Sequence, residues 1–191
     1  MQALIHLAKE IQIFFHAQKW NFCFIGGLAL QQWGEPRLTQ DVDVSLLTGF
    51  GREEAFITRI LKKYPSRIPD GKLFALQRRV LLVQNPSGIG IDISLCGLPF
   101  EEAVVDRAEF REFLKGISLK VCSAEDLIVF KGFADRLKDW ADIEGIIIRQ
   151  GNSLDWKYIK TQLEPLCELK EAPHIVPRIL ELKKKLESPI Q

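Results

Sequence analysis

The sequence predicts a mixed α/β chain of the α+β kind, with a mixed sheet flanked by helices and a helical C-terminal part. Two segments with period-two alternation, "DVDVSLL" and "IGIDIS", supply the sheet signal, because alternate residues of a strand face opposite sides. Apolar residues at helical spacing precede the first of these segments. Beyond Ser123 only helical patterns follow.

Taken in order, Leu4, Leu7, Ala8, Ile11 and Phe14 or Phe15 place a helix over about Gln2 to Gln18. "NFCFIGG" reads as a short buried strand that stops at its glycines, and Leu28 to Trp33 as a second helix ended by "GEP". "DVDVSLL" is a strand with Asp41, Asp43 and Ser45 on one side and Val42, Val44 and Leu46 on the other. "REEAFITRILKKY" is an amphipathic helix with Ala55, Phe56, Ile60 and Leu61 as its expected buried stripe. "KLFALQRRVLLVQNPSGIGIDISLCG" reads as two strands around the turn signal "NPSG", an antiparallel hairpin whose second strand carries Asp92. "GISLKVCS" is a short strand. Ser123 and Asp126 form an S-x-x-D helix start for "AEDLIVFKGFADRL", and "DWADIEGIIIRQ", "DWKYIKTQLEPLCEL" and "PRILELKKKLES" are successive helices.

With 47% hydrophobic residues in a chain of 191, a packed core is expected. Lys and Arg number 26 against 25 Asp and Glu, so there is no bulk attraction to nucleic acid or to an anionic membrane. The four cysteines show no C-x-x-C spacing, which argues against a zinc site or a disulfide framework and for a reducing, cytoplasmic setting. The N-terminal segment is amphipathic, interrupted by Lys9 and Glu10, and reads as neither a signal peptide nor a membrane span.

The chemistry lies in the carboxylates. Asp41 and Asp43, two residues apart on one strand face, sit about 6 to 7 Å apart and repel unless a cation lies between them. Hard oxygen donors with no nearby His or Cys favour Mg²⁺ or Mn²⁺, and Mg²⁺ is bound along with substrate phosphates. Gly26 and Gly27, at a strand-to-helix junction, offer backbone N–H groups to phosphate oxygens. Asp92 joins this set if the hairpin returns its strand beside that of Asp41.

Gly26-Gly27, Asp41-x-Asp43 and the later Asp92 resemble the motifs of the nucleotidyltransferase superfamily typified by DNA polymerase beta. More narrowly, "RLTQDVDVSL" with "SAEDLIVFKGFADRLKDWADIEGII" resembles the bacterial branch of AbiEii-type toxins and small nucleotidyltransferases, over roughly residues 20 to 150. The resemblance implies a polymerase beta-like nucleotidyltransferase fold, with a catalytic core over 1–122 and a helical region over 123–191. It implies that Asp41, Asp43 and Asp92 are catalytic and ligate two Mg²⁺ ions, with Mn²⁺ as the alternative, and that Asp92 takes the acceptor's proton. Gly26, Gly27, Arg37, Thr39 and Lys131 are the implied nucleotide contacts. Gly27 departs from the Ser found at that position in many members, which removes a hydroxyl contact to phosphate.

Structural readings stand beside these. Lys131 forms an ordinary i,i+4 pair with Asp135, Thr39 caps a turn, and Asp139 and Asp142 favour the positive end of a helix. Arg78 and Arg79, with Lys62, Lys63 and Arg67, are either a patch for RNA or a solvated face. The implied activity is transfer of an NMP from an NTP to a hydroxyl, with release of pyrophosphate. The acceptor is a tRNA or a protein if the chain is of the toxin–antitoxin type, with an antitoxin protein as a further partner. The alternatives are an antibiotic-type enzyme acting on a small hydroxylated molecule, and a non-catalytic nucleotide-binding module.

Overall fold

A computed structural model of the chain describes residues 1–187; the Ser188 end of the expected last helix lies outside the described residues. Two units divide the chain. The first comprises Met1–Leu28 and Leu38–Cys122, the second Ala29–Arg37 and the chain from Ser123 onward.

The first unit holds a six-stranded mixed sheet. Its strands are β1 (Phe22–Phe24), β2 (Asp41–Leu47), β3 (Val80–Gln84), β4 (Gly90–Cys96), β5 (Glu109–Leu114) and β6 (Ile117–Val121), in the order β3-β4-β2-β1-β6-β5. The expected hairpin is present as the antiparallel pair β3–β4, closed by Asn85, whose side-chain oxygen accepts from the N–H groups of Ser87 and Ile89. β2 runs parallel to β4 and antiparallel to β1, so Asp92 sits on an interior strand. The alternation seen in the sequence holds: Val42, Val44, Leu46, Ile91, Ile93 and Leu95 are buried. Removing each such side chain from water contributes about 1.5 to 3 kcal/mol.

Helix α1 (Gln2–Ala17) buries Leu4, Leu7, Ala8, Ile11 and Phe15 and packs on β6 and β2. Its Gln12 amide donates to the Ser118 carbonyl and accepts from Lys120 N–H, both at 2.9 Å. Helix α2 (Gly26–Trp33) begins at the glycines themselves, two residues before the expected start. In α3 (Glu53–Leu61) the buried residues are Ile57 and Ile60, while Ala55 is exposed, so the stripe is turned from the one expected.

The first half of the expected hairpin strand is instead helix α4 (Gly71–Arg78). Asp70 and Arg79 bracket it with φ of 50° and 56°, a left-handed conformation at both ends that stops an extended strand from running through. Helix α5 (Pro99–Arg107) and strand β5 had no counterpart in the sequence reading. α5 has a start signal in Pro99 at its first position and Glu101, whose carboxylate accepts from Leu98 N–H at 2.8 Å.

The second unit gathers the end of α2 and the helices α6 (Ala124–Ala134), α7 (Leu137–Gln150), α8 (Trp156–Leu169) and α9 (Ile175–Glu187); α6 contacts α7, α8 and α9. Ser123 caps α6 as expected, its hydroxyl accepting from Asp126 N–H. The helix ends at Ala134 rather than Leu137, because Asp135 turns left-handed at φ 56°. No described helix is long and apolar enough to cross a membrane.

Candidate active site

β2 and β4 are neighbours in a register that sets Asp43 opposite Asp92 and Asp41 opposite Gly90. Residues paired across neighbouring strands, and residues two apart on one strand, share a face. Asp41, Asp43 and Asp92 therefore project on the same side of the sheet. Gly90 leaves that side open: a Cβ there would lie 2.0 Å from Asp41 Oδ1 and 2.1 Å from Arg67 Nη1. Ser45 continues the polar alternation in sequence only, since it is fully buried.

Arg67 bridges two of the three acids. Its Nη1 donates to Asp41 Oδ1 at 3.0 Å and its Nη2 to Asp92 Oδ1 at 2.5 Å. Burial raises the Asp92 carboxyl above the ordinary value of 3.8; Arg67 pulls it back down, and Asp41 pushes it up. A carboxylate with this bias accepts a proton more readily than an ordinary aspartate.

The glycines and the acids are parts of one arrangement. Gly26 has φ +57° and would place a Cβ 2.0 Å from Asp43 Oδ2, so only glycine fits there. Gly27 N–H donates to the same oxygen at 3.3 Å. A Cβ on Gly27 would meet Thr39 Oγ1 at 2.4 Å, so a serine at this position would collide with the hydroxyl that Thr39 already places there. That hydroxyl donates to the Asp41 carbonyl at 3.3 Å, the turn-capping role expected of it.

Arg37 and Lys131 belong to the second unit, where both converge on Asp142. Arg37 donates from Nε and Nη2 at 2.8 and 2.9 Å, and Lys131 Nζ at 2.5 Å. Lys131 also lies 3.5 Å from Asp139, which pairs with Arg136 at 2.6 Å. Burial pushes the Asp142 carboxyl up, but the hydrogen bonds from Arg37 and Lys131 outweigh it and hold the group below its ordinary value. The i,i+4 reading of Lys131 with Asp135 is corrected by the left-handed turn at Asp135, whose carboxylate accepts from Trp140 Nε1 and contacts His174 Nε2.

Of the five basic residues read as an RNA patch or a solvated face, Lys63, Arg67 and Arg79 have specific partners. Arg79 pairs with Glu53, donates to the Gly49 and Leu95 carbonyls and stacks on Phe50; Lys63 pairs with Glu10. Arg67 was legible only as a member of that patch. Nothing local marks it as a partner of acids 26 and 25 residues away.

The donor set fits a divalent ion. Three hard carboxylates face one side, and the site already holds a positive charge, that of Arg67, between two of them. Among the described residues no three His, Cys, Asp or Glu side chains are gathered as a ready-made metal cage.

No family profile matches the chain, and no curated protein matches it in sequence. Solved structures similar in fold include two proteins described as nucleotidyltransferase-like or as an adenylyltransferase. One is an antigenic nucleotidyltransferase-like protein from Paracoccidioides brasiliensis, at 15% identity and TM-score 0.54, over 95% of this chain and 92% of that one. The chain has the nucleotidyltransferase fold. The other is the lincosamide antibiotic adenylyltransferase LnuA in its lincomycin-bound form, at 15% identity and TM-score 0.50, over 72% of this chain and 92% of that one.

Proposed function

We propose that the chain is a divalent-metal-dependent nucleotidyltransferase that moves an NMP from an NTP to a hydroxyl acceptor. The observation that carries this reading is the register that sets Asp43 opposite Asp92, with Asp41 on the same face and Gly27 N–H on the Asp43 carboxylate. An N–H that a carboxylate accepts from is one a phosphate oxygen can accept from, and it stands in the first turn of a helix.

Asp41, Asp43 and Asp92 would hold Mg²⁺ or Mn²⁺, in one or two ions, and the metal would supply charge stabilisation on the phosphates and a more acidic acceptor hydroxyl. Asp92, biased toward protonation by burial and by Asp41, takes the proton of that hydroxyl. The acceptor oxygen forms a bond to the α-phosphorus, the α–β phosphoanhydride bond breaks, and pyrophosphate leaves. Gly26 and Gly27 present backbone N–H groups to the triphosphate. The sequence resemblance extends nucleotide contact to Arg37, Thr39 and Lys131. Thr39 packs against Gly27, and Arg37 keeps 38% of its side chain exposed; Lys131 is buried and acts by holding Asp142 under Arg37.

For the acceptor, the AbiEii-like sequence pattern supports a tRNA or protein substrate, with an antitoxin as partner. The fold likeness to LnuA supports a small hydroxylated molecule as the second reading. Incubation with each α-phosphate-labelled NTP, Mg²⁺ and, separately, tRNA, protein extract and hydroxylated antibiotics tests both. Label is expected in one fraction and absent with Asp41→Ala or Asp43→Ala. Equal labelling by these variants would sink the mechanism, and NTP binding that needs no Mg²⁺ and releases no pyrophosphate would favour the non-catalytic module.

A further inference from the structure

We propose that Arg67 is the resident cation of the carboxylate face, that a metal–triphosphate complex displaces it, and that the released guanidinium then pairs with the triphosphate. The inference rests on the metal-site reading above and adds to it a residue that couples the two ligands.

The placement of Arg67 is built into the sheet. Its backbone N–H donates to the Leu82 carbonyl at 3.0 Å, Gln84 N–H donates to the Pro65 carbonyl at 3.1 Å, and Ser66 bridges to Val83. The segment thus lies along the outer edge of β3. Leu82 is paired in register with Asp92, and Asp92 with Asp43, so Arg67, Leu82, Asp92 and Asp43 form one row across neighbouring backbones. From that row the side chain reaches over β3 to β4 and β2 and spreads its two Nη atoms over one oxygen of Asp92 and one of Asp41. Gly90, beneath the contact, has no side chain to obstruct it.

Two consequences follow from the charges. A divalent ion shared by Asp41 and Asp92 would sit within a few ångströms of the guanidinium that already bridges them, and the repulsion of the two cations makes entry of the ion favour departure of Arg67. With its backbone held by the β3 ladder, leaving is a side-chain rotation, and the side chain is 29% exposed and so has solvent on one side. A planar guanidinium suits phosphate oxygens as it suits carboxylates. An arriving triphosphate therefore receives the group that the metal expels. Metal alone has to displace Arg67 without compensation; metal with nucleotide does not. Affinity for metal alone is reduced by the small fraction of molecules in which Arg67 is away, and metal and nucleotide tighten each other by the same factor.

The test is Mn²⁺ binding, read from the resonance of the free ion, for the intact chain, Arg67→Gln and Arg67→Lys. Each is measured with Mn²⁺ alone and then with an NTP analogue whose α–β bridge cannot be cleaved. Arg67→Gln is expected to bind Mn²⁺ alone about tenfold more tightly than the unaltered protein, with Arg67→Lys between them. The analogue should tighten Mn²⁺ about tenfold more in the unaltered protein than in Arg67→Gln. Metal-free Arg67→Gln should melt at a lower temperature, since its acids face each other unscreened, and should gain more from Mn²⁺.

Equal or weaker Mn²⁺ affinity in both Arg67 variants overturns the displacement, as does an analogue effect of the same size in all three proteins. In either case the metal-site reading survives as long as Asp41→Asn abolishes Mn²⁺ binding. If no protein binds Mn²⁺ and Asp41→Asn changes nothing, the metal-site reading falls and the inference with it.

Discussion

Gly27 N–H donates to the Asp43 carboxylate at 3.3 Å, which joins a glycine pair and an acidic strand 16 residues apart in the chain. The contact explains why both features are needed. Gly26 must be left-handed and bare for the helix start to come this close to Asp43, and Gly27 must be bare for Thr39.

Gly26→Ala should destabilise the chain by about 1 to 3 kcal/mol, from the positive φ and the collision with Asp43. Urea denaturation measures the loss. Asp43→Gly in the same chain removes the collision and recovers part of the stability, but transfer activity stays absent.

Asp43→Asn and Asp92→Asn should each lower NMP transfer by about a thousandfold or more, or roughly 4 kcal/mol in the barrier. Near-UV circular dichroism should be unchanged, because both side chains face the open side of the sheet. A tenfold loss or less would assign the chemistry elsewhere.

The Asp92 carboxyl should titrate above 3.8 in a carboxyl-detected NMR experiment, and higher still in Arg67→Gln, since Arg67 is what pulls it down. A raised folded pKa means the native state binds more protons than the unfolded one between 3.8 and that value. Stability contributed by the protonated group is therefore lost as pH rises through the window. At neutral pH ionised Asp92 costs stability, so Asp92→Asn is expected to be inactive and more stable than the unaltered chain.

Lys131→Met should cost about 3 kcal/mol, because Asp142 and Asp139 lose a buried cation. The sign at Asp142 is the reverse of that at Asp92. Its folded pKa is depressed, so its contribution is present above 3.8 and lost as pH falls from there through the folded value. Without Lys131 that value rises toward 3.8, and the stability gap between Lys131→Met and the unaltered chain should narrow in denaturation curves taken below pH 3.8.

The carboxylate face was readable in the sequence because charge on alternate residues of an apolar strand is costly and so conspicuous, and "NPSG" marked the hairpin that returns Asp92. The left-handed Asp70, Arg79 and Asp135 were not readable, since none is a glycine, and contacts distant in sequence hold Arg79 and Asp135. "KLFALQR" therefore reads as strand in sequence but folds as helix, and α6 is shorter than its sequence pattern. Arg67 was hidden for a related reason: its partners lie on two strands that the chain sets side by side only after folding.

The burial of Ile91, Ile93 and Leu95 on β4 reaches beyond core packing. Asp92 meets Asp43 only because strand parity puts it opposite those three residues. A slip of one residue would misalign the acids, and it would also expose three apolar side chains, a loss of about 5 to 9 kcal/mol. Alignment of the acids is therefore guarded by folding free energy from the reverse side of the same strand. A chain with weaker apolar alternation there would keep every acid and lose their alignment.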